Sequence, residues 1–598
     1  PWAASVAAAR QLHPRCLDVR WAGPASSTVP CYIRLLAQGR YTGSYLLNRE
    51  SNVFPGILGR VCDRPCEPAC RRGRVEEKPV AICRLKRVAA DHRDDISAHL
   101  PKAPSVKNGK RVALVGAGPA SLTVANDLLP LGYDVTIYER NATPGGLMRI
   151  NIPSFRLPAQ VLDEECAYVI DMGATMKYGT AVTSLKGLLD EGYDAVFVGS
   201  GAPKGKELDI PGRWDAPESV HIGIEFLANV HFGHIDKLGP RVIIIGVGNT
   251  AMDCCRTSKR LGATDVKVVA RRGRKHFKAS PWELEDAEEE LVEIIENHAP
   301  KRMVVENGKL VGMEFEVLQW TEDASGKQTS TVTGTVVIPC DQVILAIGQD
   351  NAFEWIERDI GVEFDGKGMP KVDKTTHQST HPKVFFGGDA AWGPENIIWA
   401  VAHGHAAAIS IDAQCQGRSV NDRPAYGMSL VSAKVGMHAW AYDNDYESAK
   451  RAKMQHEDLS KRFKDLVTEV ELGFTAEQIA TEVGRCLNCD IQTHFTASQC
   501  IECDACVDIC PTNCLTITTN GTSEADLRTR LSAPALNTDQ AIYVSDGLPQ
   551  TKRVMVKDED VCLHCGLCAE RCPTAAWDMQ LFDLRKPVAG MLAGMASV

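Results

Sequence analysis

RVALVGAGPASLTVANDLLPLGYDVTIYER, residues 111–140, decides the fold of the central part of this chain. Residues 111–115 form a short apolar strand, and Gly116-Ala117-Gly118-Pro119-Ala120-Ser121 follows. An amphipathic helix then runs to about residue 129, and a second strand, 134–138, ends at Glu139. This is a β–α–β unit of the length that binds a dinucleotide. Gly116 permits the tight turn, Gly118 lets a pyrophosphate approach the backbone, and the helix N-terminus faces the phosphates. Ser121 stands where the fingerprint has its third glycine and is small enough for close helix packing. Glu139, about twenty residues on, offers a carboxylate to the ribose hydroxyls. A lone glycine motif is weak; strand, helix and acid in register carry the reading.

Outward from this unit, residues 384–390 (VFFGGDA) read as a strand ending in glycines and an acid, with a helix over 396–408. Asp389 there suits a ribityl chain, and the helix N-terminus suits a flavin ring. Alone this is a plain strand and turn. Paired with the first motif it points to FAD, with Gly388, Asp389, Asn396 and Ala400 as candidate contacts.

A second unit repeats the pattern. Residues 241–245 are a buried strand, Gly246-Val247-Gly248-Asn249-Thr250-Ala251 follows, and Asp253 lies in the helix. The next strand, 266–269, ends in Ala270-Arg271-Arg272. Two arginines stand where an acid would bind a plain ribose, which suits the 2′-phosphate of NADPH. The alternative is NADH, with the arginines as solvated surface charge.

Cysteine usage is the other informative signal. The chain has 22 Cys, mostly in dense groups flanking these motifs, so metal ligation is favoured over disulfides. Cys500-x2-Cys503-x2-Cys506-x3-Cys510-Pro511 and Cys562-x2-Cys565-x2-Cys568-x3-Cys572-Pro573 are two copies of the run that gives three thiolates to one cubane and the fourth to the other. Cys500, Cys503, Cys506 and Cys572 are therefore expected on one 4Fe–4S cluster, and Cys562, Cys565, Cys568 and Cys510 on a second. Two zinc sites would leave the prolines and the crossed spacing unexplained. Cys62, Cys66, Cys70 and Cys83 are expected to hold a third cluster, and Cys16, Cys31, Cys486 and Cys489 to meet as a fourth. The other six Cys read as inert, and Cys514, near Cys510, has no assigned role.

A net charge of -10 argues against nucleic acid as a partner. No apolar run reaches the ~18 residues of a membrane span. The first residues, PWAASVAAAR, lack a charged start and a signal-peptide core, so a cytoplasmic location is expected.

Residues 50–420 resemble the small subunit of glutamate synthase and the matching part of dihydropyrimidine dehydrogenase. The resemblance is carried by residues 59–62, 116–121, Pro144-Gly145-Gly146-Leu147, residues 246–253, Arg271-Arg272 and residues 387–390. Residues 496–598 resemble a bacterial two-cluster ferredoxin. The Arg-Cys-Leu-x-Cys element that this family carries at its start lies here at residues 485–489. The resemblance implies an α/β chain with two nested Rossmann-like dinucleotide-binding domains, the NADPH domain inserted in the FAD domain. It also implies an N-terminal helical iron–sulfur domain and a C-terminal α+β two-cluster ferredoxin domain. The expected boundaries are 1–105 for the N-terminal domain, 106–215 and 335–420 for the FAD domain, 216–334 for the NADPH domain, 421–495 for a polar helical linker and 496–598 for the ferredoxin. Arg140, Gly145, Gly146 and Leu147 join the expected FAD contacts, and Gly348 the NADPH contacts. About 50 residues separate the two C-terminal Cys runs, and residues 519–549 are expected to form a loop able to dock a partner.

The cofactors carry the chemistry, so no catalytic side chain is expected. Three functions compete. One is an electron-transfer subunit in a hetero-oligomer with a larger catalytic partner, such as a 2-oxoacid:ferredoxin oxidoreductase or a glutamate synthase-type enzyme. The others are a free-standing NAD(P)H:ferredoxin oxidoreductase and a non-enzymatic cluster-bearing scaffold. The intact dinucleotide motifs count against the scaffold, and the built-in two-cluster ferredoxin, a ready-made outlet to a bound partner, favours the first. No pyrimidine-binding barrel follows.

Overall fold

The structure is a computed structural model that describes residues 18–76, 78–322, 326–432, 448–535, 538 and 542–592. Two five-stranded parallel sheets form its centre. In the first, the strands run in the order Val384–Phe386, Ala195–Val198, Arg111–Val115, Asp134–Tyr138, Thr175–Lys177. In the second they run Val220–Ile222, Gln342–Leu345, Arg241–Ile245, Asp265–Val269, Glu293–Ile295. In the first sheet the chain starts at the central strand Arg111–Val115, steps outward twice, then returns to that strand's other side; the second sheet repeats this from Arg241–Ile245, after an edge strand, Val220–Ile222, laid down earlier in the chain. That reversal leaves a crevice beyond the carboxyl end of the first strand, where α/β sheets bind their ligands.

Parallel strands are buried on both faces, and Val112, Leu114, Val196, Phe197, Val242 and Ile244 are at most 1% exposed. Pro119 opens the helix Pro119–Leu128 at a position where a missing N–H costs nothing. The second sheet interrupts the first between its strands Ala195–Val198 and Val384–Phe386, so the two units are nested. Strand Gln342–Leu345 hydrogen-bonds along Arg241–Ile245, so the second unit extends past the boundary expected at 334. The reason is that its last strand comes only after a three-stranded antiparallel sheet, His298–Glu306, Lys309–Glu322 and Gln328–Pro339.

Short helices make up the N-terminal region, from Asp18–Ala22 to Ile82–Asp91. In Val29–Ala37, the residues Val29, Ile33 and Leu36 bury one helical face, with Tyr32 beside them. The helix Ala476–Gly484, with a full Thr475–Gln478 capping box, contributes Ile479 to that same core. The two ends of the chain therefore share one domain.

Residues 421–495 were expected to be helical, and mostly they are not. Strand Gly427–Ser432 pairs with Trp577–Arg585, which also pairs with Ile491–Phe495. Between them lie only the helices Leu459–Arg462 and Ala476–Gly484, among the described residues. Besides local pairs such as Lys461–Glu457 and Arg485–Glu482, charged residues of this arm pair with other domains. Glu469 bonds Arg60 and Arg87, Glu471 bonds Arg84, Arg451 bonds Glu67, and Arg462 bonds Glu289. In the ferredoxin region, residues 519–549 contain the helix Glu524–Arg528 and the strand Tyr543–Val544, which pairs with Val554–Lys557.

Candidate functional site

Both glycine loops open into one cavity of ≈1770 Å³. At each, the backbone of the returning strand fits against a glycine that admits no side chain. A Cβ on Gly116, at φ +89, would stand 2.8 Å from the Gly199 carbonyl oxygen, and one on Gly246, at φ +121, 2.2 Å from that of Ala346. Gly199 and Ala346 follow Ala195–Val198 and Gln342–Leu345, the strands paired beside the two glycine-loop strands, so the same crossing is built twice.

On the first side, Gly116, Gly118, Pro119, Ala120, Glu139, Arg140, Gly146, Leu147, Gly388, Asp389, Asn396 and Ala400 all line the cavity. Ser121 and Gly145 are buried behind it. Ser121 packs against Gly199, and the Gly145 N–H donates to Ala117 O, so these two shape the loop. Glu139 accepts from the N–H groups of Ala117 and Asn141, each at 2.8 Å, and its further lone pairs remain for a ribose. Burial pushes the Asp389 carboxyl up to about 6, while the Glu395 N–H donates to it at 3.0 Å. The Asn396 side chain caps Ile397–Cys415, whose first turn faces the cavity through Ile397 and Ala400.

On the second side, Gly246, Gly248, Asn249, Thr250, Arg271, Arg272 and Gly348 line the cavity, and Ala251 is buried beneath them. Arg271 and Arg272 are exposed at its rim. The Arg272 guanidinium lies 4.8 Å over the Trp320 ring, whose Nε1–H donates to Arg271 O. Arg274 is held away by an ion pair with Glu288.

Several lining residues were not foreseen. Ser200 and Gly201 follow Ala195–Val198 as Ile347 and the expected Gly348 follow Gln342–Leu345 in the other sheet, and a glycine shortly after a buried strand is the signal the two share. Val61 and Asp63 also line the cavity, on either side of Cys62, and the Asn249 side-chain N–H donates to Asp63 at 3.3 Å. The cysteine-bearing N-terminal domain thus forms part of the cofactor wall, and nothing in the local sequence announces it.

The expected ligand cysteines among the described residues fall into four groups. Cys500, Cys503, Cys506 and Cys572 line one small cavity, and Cys510, Cys562, Cys565 and Cys568 another. Cys514 lines the second as well, its sulfur 3.4 Å from that of Cys510. In the N-terminal domain, Cys62 and Cys83 share a hydrogen bond, and the charge of Cys83 acts on Cys66. Cys70, expected with those three, lies instead beside Cys486 and Cys489. Burial pushes the Cys486 thiol up to about 12, the Asn488 N–H opposes this, and the neighbouring Cys70 adds to it. Cys70 acts on Cys489 in the same sense. The cause of the regrouping is tertiary: Arg72, two residues after Cys70, donates to Arg485 O, next to Cys486. The Cys31 thiol donates to Asp490 at 3.3 Å, beside Cys489. Cys16 lies outside the described residues.

One local device recurs in all four groups. Two residues after a leading cysteine, a non-glycine residue takes a left-handed backbone and turns its N–H onto that cysteine's sulfur. These pairs are Arg64 on Cys62, Asn488 on Cys486, Glu502 on Cys500 and His564 on Cys562. Such backbone is strained, of order 1 kcal/mol or more per residue, and persists where the surroundings demand it. N–H groups aimed at sulfur stabilise thiolate ligands and raise cluster potentials. The donor sets fit iron–sulfur clusters.

Comparison with known proteins agrees with this geometry. Residues 110–404 match the model of pyridine nucleotide-disulphide oxidoreductases, residues 3–97 that of dihydropyrimidine dehydrogenase domain II with its 4Fe–4S cluster, and residues 499–576 that of the 4Fe–4S dicluster domain. The NADP(+)-dependent formate dehydrogenase subunit beta of Moorella thermoacetica is 34% identical over 494 residues, 78% of this chain and 69% of that one. The glutamate synthase [NADPH] small chain of Escherichia coli K12 is 32% identical over 426 residues, 66% and 89%. The chain belongs to the glutamate synthase small-chain branch of the pyridine nucleotide-disulphide oxidoreductases. The NADPH-Fe(3+) oxidoreductase subunit beta of Geobacter sulfurreducens is 32% identical over 510 residues, 78% and 74%. Like its family, the chain is an FAD-dependent NAD(P)H oxidoreductase carrying 4Fe–4S domains. Among the described residues, no helix is long and apolar enough to cross a membrane.

Proposed function

We propose that this chain is the NADPH-side electron-transfer subunit of a larger, cytoplasmic redox enzyme. The observation that carries the reading is the shared wall: Val61 and Asp63, on either side of Cys62, line the cavity onto which both dinucleotide loops open. The first loop, Glu139 and Asp389 hold FAD. The second loop with Arg271 and Arg272 holds NADPH. Bound FAD supplies the conversion of a two-electron hydride into the single electrons that iron–sulfur clusters carry. The protein's own part is to hold the two dinucleotides against each other and to exclude water. Four cysteine groups hold four 4Fe–4S clusters, of which the two crossed ferredoxin sets each have a full complement of cysteine ligands.

Three relatives support a larger partner, since each is named as a subunit or small chain. A formate dehydrogenase-type catalytic subunit ranks ahead of a glutamate synthase-type one, because that match covers more of this chain. The test is an anoxic purification with stoichiometric analysis of flavin, iron and co-eluting protein. We expect one FAD, clusters reducible by NADPH and a larger co-eluting subunit. Absence of a flavin spectrum would overturn the reading. A chain that elutes alone and reduces soluble ferredoxin with NADPH would establish the free-standing oxidoreductase instead.

A further inference from the structure

We propose that electrons enter the ferredoxin domain at the Cys562, Cys565, Cys568 and Cys510 set through Arg71, and leave it from the Cys500, Cys503, Cys506 and Cys572 set. This rests on the electron-transfer function proposed above and fixes the order of its last steps. Arg71 follows Cys70 directly in the chain, and its charge acts on Cys489 of the same group. From there the guanidinium crosses into the ferredoxin domain. One nitrogen donates to Glu559 O at 2.9 Å and to Cys562 O at 3.2 Å, and lies 3.3 Å from His564 Nε2. Arg71 is 5% exposed. A buried guanidinium is retained only where specific acceptors compensate its desolvation, and here they include the backbone carbonyl of a cluster-ligating residue, Cys562, and that of nearby Glu559.

Arg71 and Leu487 also share a ≈420 Å³ cavity with Cys562 and Leu563. Residues from both N-terminal cysteine segments therefore face the same ferredoxin set. The two ferredoxin sets then meet where the helix Ala505–Asp508, carrying Cys506, packs against Leu567–Arg571, carrying Cys568. At the far set, Cys503 is exposed and the neighbouring Ile501 is 47% exposed. Cys562 is thus buried against the donor domain, whereas the other set presents its exposed Cys503 to a partner. In each hop one group loses one electron and the next gains it; no bond forms or breaks and no proton moves.

The test uses the full chain prepared anoxically, with Arg71→Met and Arg71→Lys. With Met, NADPH should bleach the flavin at the wild-type rate, while the ferredoxin clusters reduce about tenfold more slowly, the factor that 1.36 kcal/mol of barrier carries. Loss of the cation should lower the midpoint potential of the Cys562 set and leave that of the Cys500 set unmoved. Lys should restore part of both effects. Amides of residues 559–564 should exchange faster in the Met variant. Cys503→Ala and Cys565→Ala assign the two EPR signals and test the order. Cys503→Ala should leave reduction of the Cys562 set intact, and Cys565→Ala should stop NADPH from reaching the Cys500 set while dithionite still reduces it. An Arg71→Met protein with unchanged ferredoxin reduction and an unshifted potential overturns the proposal, as does loss of Cys562-set reduction in Cys503→Ala. A wild-type flavin that NADPH does not bleach would instead defeat the underlying function.

Discussion

Replacing Arg271 and Arg272 together by alanine tests the NADPH assignment most directly. Both arginines stand exposed at the cavity rim after the strand Asp265–Val269, where the adenosine ribose of a dinucleotide lies in this fold. Arg274 is committed to Glu288 and does not substitute for them. A hydrogen bond to a charged group contributes ~1.5–3 kcal/mol net. At an exposed rim the lower value applies, so two contacts to a 2′-phosphate give ~3 kcal/mol. At 1.4 kcal/mol per tenfold, the double variant should lose about 100-fold in kcat/KM for NADPH. NADH lacks the phosphate, and its kcat/KM should change less than about threefold. The assay is steady-state dye reduction at the flavin level with each nucleotide, which bypasses the clusters. Trp320→Ala should give an intermediate, NADPH-selective loss, because that ring holds Arg272 at 4.8 Å and bonds Arg271 O. Equal losses for the two nucleotides would refute the reasoning.

Four clusters require iron near sixteen atoms per chain; a value near twelve, unchanged by Cys486→Ala, would remove the cluster that joins the chain ends. Lys86 is buried beside Cys62, Cys83 and Cys66; burial works against its charge, but the thiols outweigh it and hold the ammonium above its ordinary range. Lys86→Met should therefore lower the midpoint potential of that cluster by about 59 mV if the screened interaction is ~1.4 kcal/mol, the equivalence for a one-electron couple, and an unshifted EPR titration would contradict it. Burial works against the Glu290 carboxylate, but Arg256 and then Arg260 hold it down at about 2. Burial also lowers Arg260 despite that pair, so Arg256 is the stronger partner. A depressed carboxyl stabilises the fold above its unfolded value of about 4.3 and loses that contribution as pH falls towards 2. Glu290→Gln should accordingly lower the urea midpoint at pH 7 and flatten its decline below pH 4.5; an unchanged pH profile would show that the pair adds nothing.

What was legible in the sequence is what short-range chemistry dictates. The loops at Gly116 and Gly246 announce themselves because a turn at positive φ, a phosphate-facing helix end and a flanking strand sit within a few residues of one another. The crossed ferredoxin sets are legible because two identical runs can close two cubanes in only one regular way. Cys70 was not, because its companions Cys486 and Cys489 lie some four hundred residues away and meet it through Arg72 and Arg485. Nor was the strand Gln342–Leu345 assigned to its sheet, since a buried strand carries no mark of which parallel neighbour it joins. The stretch 421–495 read as a polar helical linker. Several of its charges are complementary to groups on other domains, Glu469 and Glu471 to arginines and Arg451 and Arg462 to carboxylates, and periodicity along the chain cannot report that.

The arm also explains why one cysteine group draws on both ends of the chain. The helix Ile82–Asp91 buries Cys83 together with Arg84, Lys86 and Arg87, each at most 6% exposed. Uncompensated, a buried cation costs several kcal/mol, so a helix carrying three of them needs anions brought to it. Lys86 faces the thiols of Cys62, Cys83 and Cys66. The other two face outward from that group, and Glu471 answers both while Glu469 answers Arg87 and Arg60. Those carboxylates come from the arm. Once Glu469 and Glu471 are seated, the capped helix Ala476–Gly484 follows within a few residues, and Glu482 closes onto the Ala81 N–H and Arg485. That places Cys486 and Cys489 next to Cys70. The cations flanking the flavin-side cysteines therefore recruit the segment that completes the next group, and charge compensation and ligand assembly are one structural event.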